Sequence, residues 1–494
     1  MPLISIVIPT RNRPDTLAIC LRALASHRDP SIEIVVQDNC SEPRTQEVVA
    51  EAQQTDSRIR FSCAPHPTSQ RHNFELGLRA CRGEYMSIIG DDDGFCIGSL
   101  DWLASKLREN PVDAVRWGLL HYIWPSLSVD GVGFMNLYPA QCGGCYSYQS
   151  AASIADRAIS AKTAGSWDNI LVYHGMISRK IYDKMRFMTN GVFFAYPMPD
   201  VYAHNLIPFF CDRILQVNDI VSIYGLSGHS AGSSWTRPAS VDGDSAAEGR
   251  RWMKESVADS EVSEVAWQPE IRTLRYHDYC VFKLAESRGM LAGRNVDTRV
   301  WIDAIIAEIY RDPAQLASWL TAEKRSSINE QVFAAVRAEF NGWVPKPMRP
   351  ADSRFAPDWR IPSLRVRDVN AELIDNVEGA SLALSEMFGT EVLWVETRAS
   401  APSRTNIRSI VAQLIVSVQG RIPALSSRIM QSPLLPHVAW RFLNAVKWRN
   451  SERTNQLQAR VVRLHKDGQL RAQRPMSADL REPAKPAAVD SHNS

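Results

Sequence analysis

The residues best placed to do chemistry are three consecutive carboxylates, Asp91-Asp92-Asp93, which follow the apolar run Tyr85-Met-Ser-Ile-Ile89 with only Gly90 between. Adjacent carboxylates raise one another's pKa and desolvation disfavours their charged forms, so a cluster at the mouth of a buried strand calls for a cation. Hard oxygen ligands suit Mg²⁺ or Mn²⁺, which one or two carboxylates hold while phosphates complete the shell. On an extended segment Asp91 and Asp93 would face one side and Asp92 the other. A second carboxylate, Asp38, ends the run Ile32-Glu-Ile-Val-Val36-Gln-Asp38. A third, Asp200, follows Pro197-Met-Pro199 and opens the apolar stretch Val201 to Phe210, where it can take a proton from a hydroxyl nucleophile, cap a helix, or do both. His174, in Tyr173-His-Gly175, and His229, in Gly228-His-Ser-Ala-Gly-Ser-Ser234, are either ligands or packed structural histidines. Trp235 either stacks on a sugar ring or belongs to the core.

These residues need a scaffold that gathers strand ends. Leu3 to Ile8 is β-branched and apolar, and Pro9 stops it. Asp15 or Pro14 then opens a helix with Leu17, Cys20, Leu21 and Leu24 at helical spacing. Strand Ile32 to Val36, helix Thr45 to Gln54, strand Ile59 to Ser62, helix Arg71 to Ala80 and strand Tyr85 to Ile89 continue the alternation. Such βαβ repeats predict an α/β fold with a mostly parallel sheet covered by helices on both faces. In open sheets of this kind ligands collect beyond the carboxyl ends of the strands, where Thr10 to Arg13, Asp38 and the Asp triplet fall. Beyond helix Leu100 to Glu109 and strand Ala114 to Leu120 the pattern loosens, with a Gly/Tyr/Cys-rich loop expected over 131–148. Residues 246–344 read as helical, with Val300, Trp301, Ile305, Ile306 and Ile309 in register. A mixed segment with a strand at Glu391 to Glu396 follows.

Composition narrows the class. The chain has 494 residues, 45% of them hydrophobic, with 56 Lys+Arg against 54 Asp+Glu, which excludes disorder throughout. Nine scattered Cys, mostly in apolar segments, argue against a disulfide framework and for a reducing compartment, so the cytoplasm is expected. Cys142-Gly-Gly-Cys145 lacks the second ligand pair a zinc site needs and reads as two loop thiols. Met1 to Pro9 reads as a strand and not a signal peptide, and no run of about 18 uncharged apolar residues offers a membrane span. No Gly-x-Gly-x-x-Gly, Walker A or Gly-x-Ser-x-Gly sequence is present, against dehydrogenase, P-loop and α/β-hydrolase chemistry.

Four segments in order, Ile6-Val-Ile-Pro-Thr-Arg-Asn-Arg-Pro-Asp-Thr-Leu17, Ile34-Val-Val-Gln-Asp-Asn-Cys-Ser41, Arg71-His-Asn-Phe-Glu-Leu-Gly-Leu-Arg-Ala80 and Gly83-Glu-Tyr-Met-Ser-Ile-Ile-Gly-Asp-Asp-Asp93, resemble the signatures of family 2 glycosyltransferases with the GT-A fold. The resemblance implies a Rossmann-like mixed, mostly parallel sheet between helices, with a mainly helical C-terminal extension. It implies an inverting transfer from a nucleotide-diphosphate sugar, a UDP-sugar first among them, to a glycan or lipid-linked saccharide with Mn²⁺ or Mg²⁺. By position it implies a metal site at Asp91 and Asp93 with His229, and a nucleotide site from Thr10, Arg11, Asp38, Arg71 and Asp92. Asp200 matches the general base, with His174 and Trp235 on the acceptor side. Arg11 departs from the aromatic common at its position.

The resulting division is a catalytic domain over 1–240, a helical domain over 241–345, a connecting segment over 346–400, a basic region over 401–474 and a disordered Ala/Pro/Ser-rich tail over 475–494. The basic region carries thirteen Lys/Arg against Glu452 and Asp467, a net +11. Within it Trp440, Phe442, Leu443, Val446 and Trp448 interleave with Arg441, Lys447 and Arg449. Such a helix lies on an anionic membrane surface or packs on the protein with its basic face solvated. Nucleic acid fits the charge but no recognised module. Against the enzyme stands a non-catalytic GT-A-like scaffold that binds nucleotide or glycan. A sugar-1-phosphate nucleotidylyltransferase would need a Gly-rich loop after the first strand, which is missing.

Overall fold

The computed structural model describes residues 1–128, 131–137, 144–163, 169–228, 244–262, 267–312, 315–321, 329–342 and 375–388, with short strands at 364–367, 395–396 and 471–472. Strands β1 (Ile4–Thr10), β2 (Ile32–Asp38), β3 (Ile59–Cys63) and β4 (Tyr85–Ile88) are parallel, with β1 between β2 and β4. Helices α1 (Pro14–Leu24), α2 (Pro43–Gln53) and α3 (Gln70–Ala80) are the crossovers. All seven residues of β1 and of β2 are buried, as strands covered on both faces must be. The period of two divides them between layers. Ile4, Ile6 and Ile8 enter one apolar cluster with α1, α2 and α4 (Ser99–Glu109). Val7 enters the other, beneath α3.

The second half of the sheet departs from the expected loosening. A two-residue strand β5 (Gly94–Phe95) leads through α4 to β6 (Ala114–Ile123). Two strands, β7 (Phe134–Leu137) and β8 (Cys145–Ser150), occupy the stretch expected as a loop. Helix α5 (Ala152–Ile159), strand β9 (Met176–Ser178), helices α6 (Arg179–Phe187) and α7 (Pro199–Leu206), and strand β10 (Arg213–Leu226) follow. The sheet order is β8-β10-β6-β9-β4-β1-β2-β3, with β9 antiparallel to both neighbours and β10 parallel to β6. β10 has 14 residues, and its alternation is interrupted at Asn218-Asp219, where its register against β6 shifts between Gln216 and Ile220. The expected helix Val201 to Phe210 is shorter. It ends at Leu206 in a 3-10 turn, Ile207–Phe209, because Pro208 has no N–H to continue the helix.

Helices α8 (Asp244–Val257), α9 (Leu274–Ser287), α10 (Thr298–Arg311), α11 (Leu316–Thr321) and α12 (Glu330–Glu339) form the expected helical stretch, and α13 (Val377–Phe388) packs near β10. One apolar cluster runs from Val7, Met86 and Ile88 through Tyr202 and Leu206 to Tyr279, Trp301 and Val336, so the core continues without a break past residue 240. Among the described residues no helix is long and apolar enough to cross a membrane. The basic region lies outside the described residues apart from Arg471–Ala472.

Candidate functional site

The Asp triplet sits where β4 stops. Asp93 N–H donates to the Gly90 carbonyl at 3.2 Å, so the segment is a turn and not an extended strand. The expected alternation of the three side chains therefore fails, and each carboxylate meets a different wall.

Asp93 is fully enclosed and faces the protein. Its Oδ2 accepts from Gly90 N–H at 2.5 Å, Tyr173 O–H at 2.8 Å and His174 Nε2 at 2.9 Å, and its Oδ1 accepts from Gly225 N–H at 2.7 Å. Four donors thus meet the lone pairs of one carboxylate. His174 is in turn fixed through Nδ1 by Ser222 Oγ at 2.8 Å, and Ser222 accepts from Trp117 Nε1 at 2.8 Å. His174 is 1% exposed and holds Asp93 from behind.

Asp91 accepts from Thr10 Oγ1 at 2.6 Å and lies 3.3 Å from the Arg13 guanidinium. Burial raises its pKa against the pull of Arg13 and Thr10. Asp92 has a single side-chain hydrogen bond, from Ser227 Oγ at 2.5 Å. Burial, then the charges of Asp93 and Asp91, push it up to about 7. A buried carboxylate this poorly neutralised, beside Asp91, is a donor set that fits a hard divalent cation. The main chain of Asp92 is pinned as well: Trp124 Nε1 donates to its carbonyl at 2.9 Å, and a Cβ on Gly225 would stand 1.8 Å from that oxygen.

Behind the loop, Cys20 of α1 places Sγ 3.8 Å from the Gly90 carbonyl, and burial followed by the charges of Asp93, Asp91 and Asp92 raises its thiol pKa. At the neighbouring strand end, Asp38 is buried. Its Oδ2 accepts from Ser41 N–H at 3.0 Å, and its Oδ1 has no hydrogen-bond partner among the described residues. Asn12, Cys40 and His174 adopt left-handed backbone at φ 55°, 56° and 53°, so three of the turns around this crevice carry strain of the kind functional sites hold.

The remaining expected residues divide. Arg11 pairs with Glu255 of α8 at 2.7 Å. Arg71, 0% exposed, is bound by Asp259 at 2.6 Å and Glu261 at 2.7 Å, so its guanidinium ties α3 to the segment after α8. The ligand atoms of His72, Asp259 and Glu261 lie within 4.8 Å of one another, yet Arg71 already occupies both carboxylates. Asp200 is exposed in the first turn of α7, whose N-cap is Met198, so it is not the cap residue. Its charge, with those of Asp93 and Asp92, acts after burial to raise the pKa of Tyr224, whose ring lies 5.4 Å from His174. The Asp200 carboxylate accepts from Val201 N–H at 2.9 Å. His229, Trp235 and Cys142 lie outside the described residues. Sequence reasoning missed Tyr173, Ser222, Gly225 and Ser227, which reach the triplet from the segment before β9 and from β10 and its end.

Parallel β1 to β4 end in a carboxylate crevice, which antiparallel β9 and the β6/β10 pair extend. Residues 5–127 match the family "Glycosyl transferase family 2". The GalNAc(5)-diNAcBac-PP-undecaprenol beta-1,3-glucosyltransferase of Campylobacter jejuni is 30% identical over 113 residues, 22% of this chain and 36% of that protein. Glycosyltransferase GlyG of Streptococcus pneumoniae is 22% identical over 227 residues, 45% of this chain and 70% of that protein. The crystal structure of S. aureus TarS 1-349 in complex with UDP-GlcNAc aligns at 16% identity and TM-score 0.37, over 68% of this chain and 88% of that one. The chain thus spans about a third of the first relative's length.

Proposed function

We propose that the chain is an inverting, metal-dependent glycosyltransferase that moves a sugar from a nucleotide-diphosphate sugar, a UDP-sugar first among them, to a lipid-linked saccharide or glycan. The observation that carries this reading is the pair Asp91 and Asp92, buried and adjacent at the end of β4, with Arg13 beside Asp91 and the Ser227 hydroxyl beside Asp92. These two carboxylates would hold Mn²⁺ or Mg²⁺. When bound, the ion supplies Lewis-acid neutralisation of the charge that develops on the diphosphate leaving group. The unpartnered Oδ1 of Asp38 offers an acceptor to a nucleobase N–H, and Thr10 and Arg11 border the same crevice. Asp200 is the general base. It takes the acceptor hydroxyl proton as that oxygen bonds to the anomeric carbon, and the bond from that carbon to the diphosphate oxygen breaks with its electron pair leaving on the diphosphate. The name of the Campylobacter relative, which specifies an undecaprenol diphosphate-linked acceptor, supports the lipid-linked class.

The test is a pair of variants assayed against a panel of nucleotide sugars. Asp92→Asn loses Mn²⁺-dependent UDP binding by calorimetry and transfer with it, whereas Asp200→Asn binds UDP as the wild type does and loses turnover by roughly a hundredfold or more. Wild-type transfer by Asp92→Asn sinks the metal reading, and wild-type turnover by Asp200→Asn sinks the base.

A further inference from the structure

Asp200 owes its place to residues that the chemistry does not touch. The N-cap of α7, Met198, makes no side-chain bond to the first turn, so the usual device for fixing a helix start is missing. The turn is held from the next turn instead. His204 Nδ1 lies 2.9 Å from the Asp200 carbonyl oxygen, and His204 Nε2 lies 3.1 Å from Asp278 Oδ1 on α9. The same Asp278 oxygen accepts from Asn205 Nδ2 at 2.7 Å, and that amide also donates to the Val201 carbonyl at 2.9 Å. The other Asp278 oxygen faces the Arg275 guanidinium at 3.5 Å, and Arg275 is itself tied to Thr163. A residue earlier on α9, His277, bonds Tyr196 O–H at 2.8 Å, on the run into α7.

His204 is buried at 3% exposure beside the Asp278 carboxylate at 6%, and both oxygens of Asp278 face neighbouring side chains. The Asp200 carboxylate itself accepts from Val201 N–H at 2.9 Å, a bond that moves with the first turn of the helix. Burial would raise the Asp278 pKa, but the His204 hydrogen bond and the charges of His204 and Arg275 outweigh it and hold the carboxyl below its ordinary value.

We propose that Asp278 is a positioning residue for the general base: it anchors His204 and Asn205, whose contacts with the Asp200 and Val201 carbonyls fix the turn from which Val201 N–H holds the Asp200 carboxylate. The helices after residue 240 thereby take part in the reaction without touching substrate. The inference rests on the assignment of Asp200 as the base.

Steady-state kinetics on the full chain, with the nucleotide sugar that the wild type turns over, test it. Because small misplacements of a reacting group are costly, kcat falls roughly tenfold or more in Asp278→Asn. The donor KM stays within about twofold in that variant, because the donor site is not part of this contact. Asp278→Glu, which keeps the charge, recovers most of the rate. A kcat equal to wild type, or a loss of rate that only follows the loss of folded protein by circular dichroism, overturns it. Full turnover by Asp200→Asn overturns the base assignment and this inference together. Loss of turnover in Asp200→Asn with wild-type kcat in Asp278→Asn overturns this inference alone.

Discussion

Asp92 is the carboxylate that the fold neutralises least. With a pKa moved from 3.8 to about 7, it binds its proton more tightly in the folded chain than in the unfolded one. Its contribution therefore lowers the stability of the metal-free protein as pH rises from about 4 to about 7 and is constant above that. Carboxylates held below their ordinary values, Asp56, Asp113 and Asp278 among them, act in the opposite sense, so the difference between wild type and Asp92→Asn isolates the effect. Thermal melts should show Asp92→Asn gaining on the wild type between pH 5 and pH 8, and Mn²⁺ stabilising the wild type more at pH 8 than at pH 5. Equal Mn²⁺ stabilisation at both values would refute it. The sequence shows that three carboxylates meet at a strand end. It does not show which oxygens are free, since that depends on Tyr173, His174 and Gly225 converging on Asp93 from two other elements.

The strands that carry those residues explain both the success and the failure of pattern reading. β1 to β4 are local βαβ units whose apolar runs announce themselves, and their ends are where the spacing put them. β10 is bulged at Asn218-Asp219, and its pairing with β6 joins residues about a hundred apart, as in Ile214 with Ala114. No local period reports such a contact. Yet β10 closes the site, since Ser222, Gly225 and Ser227 support His174, Asp93 and Asp92. Gly225→Ala puts a methyl group against the Asp92 carbonyl and should destabilise the protein by about 3 kcal/mol, at the upper end of overpacking costs. Urea unfolding measures this, and an unchanged midpoint would mean that the strand can retreat from the loop without cost.

At the scale of the molecule, charge and core are distributed differently. The apolar cluster spans sheet and helical region, while the net +11 of residues 401–474 is concentrated in one stretch. We propose that this stretch brings the enzyme to the membrane surface where a lipid-linked acceptor resides. Deleting residues 401–494 should leave nucleotide binding intact and end sedimentation with phosphatidylglycerol vesicles; equal sedimentation of both forms would exclude the idea. Cys20 adds a different property. Its thiol, covered by the Gly90 turn and kept protonated by burial and then by the same carboxylates, should react with maleimide only when α1 lifts away from the loop, whereas exposed Cys40 reacts at once. The ratio of the two alkylation rates, read by peptide mass, is thus an intrinsic probe of how often the floor of the cleft opens, with no label to engineer.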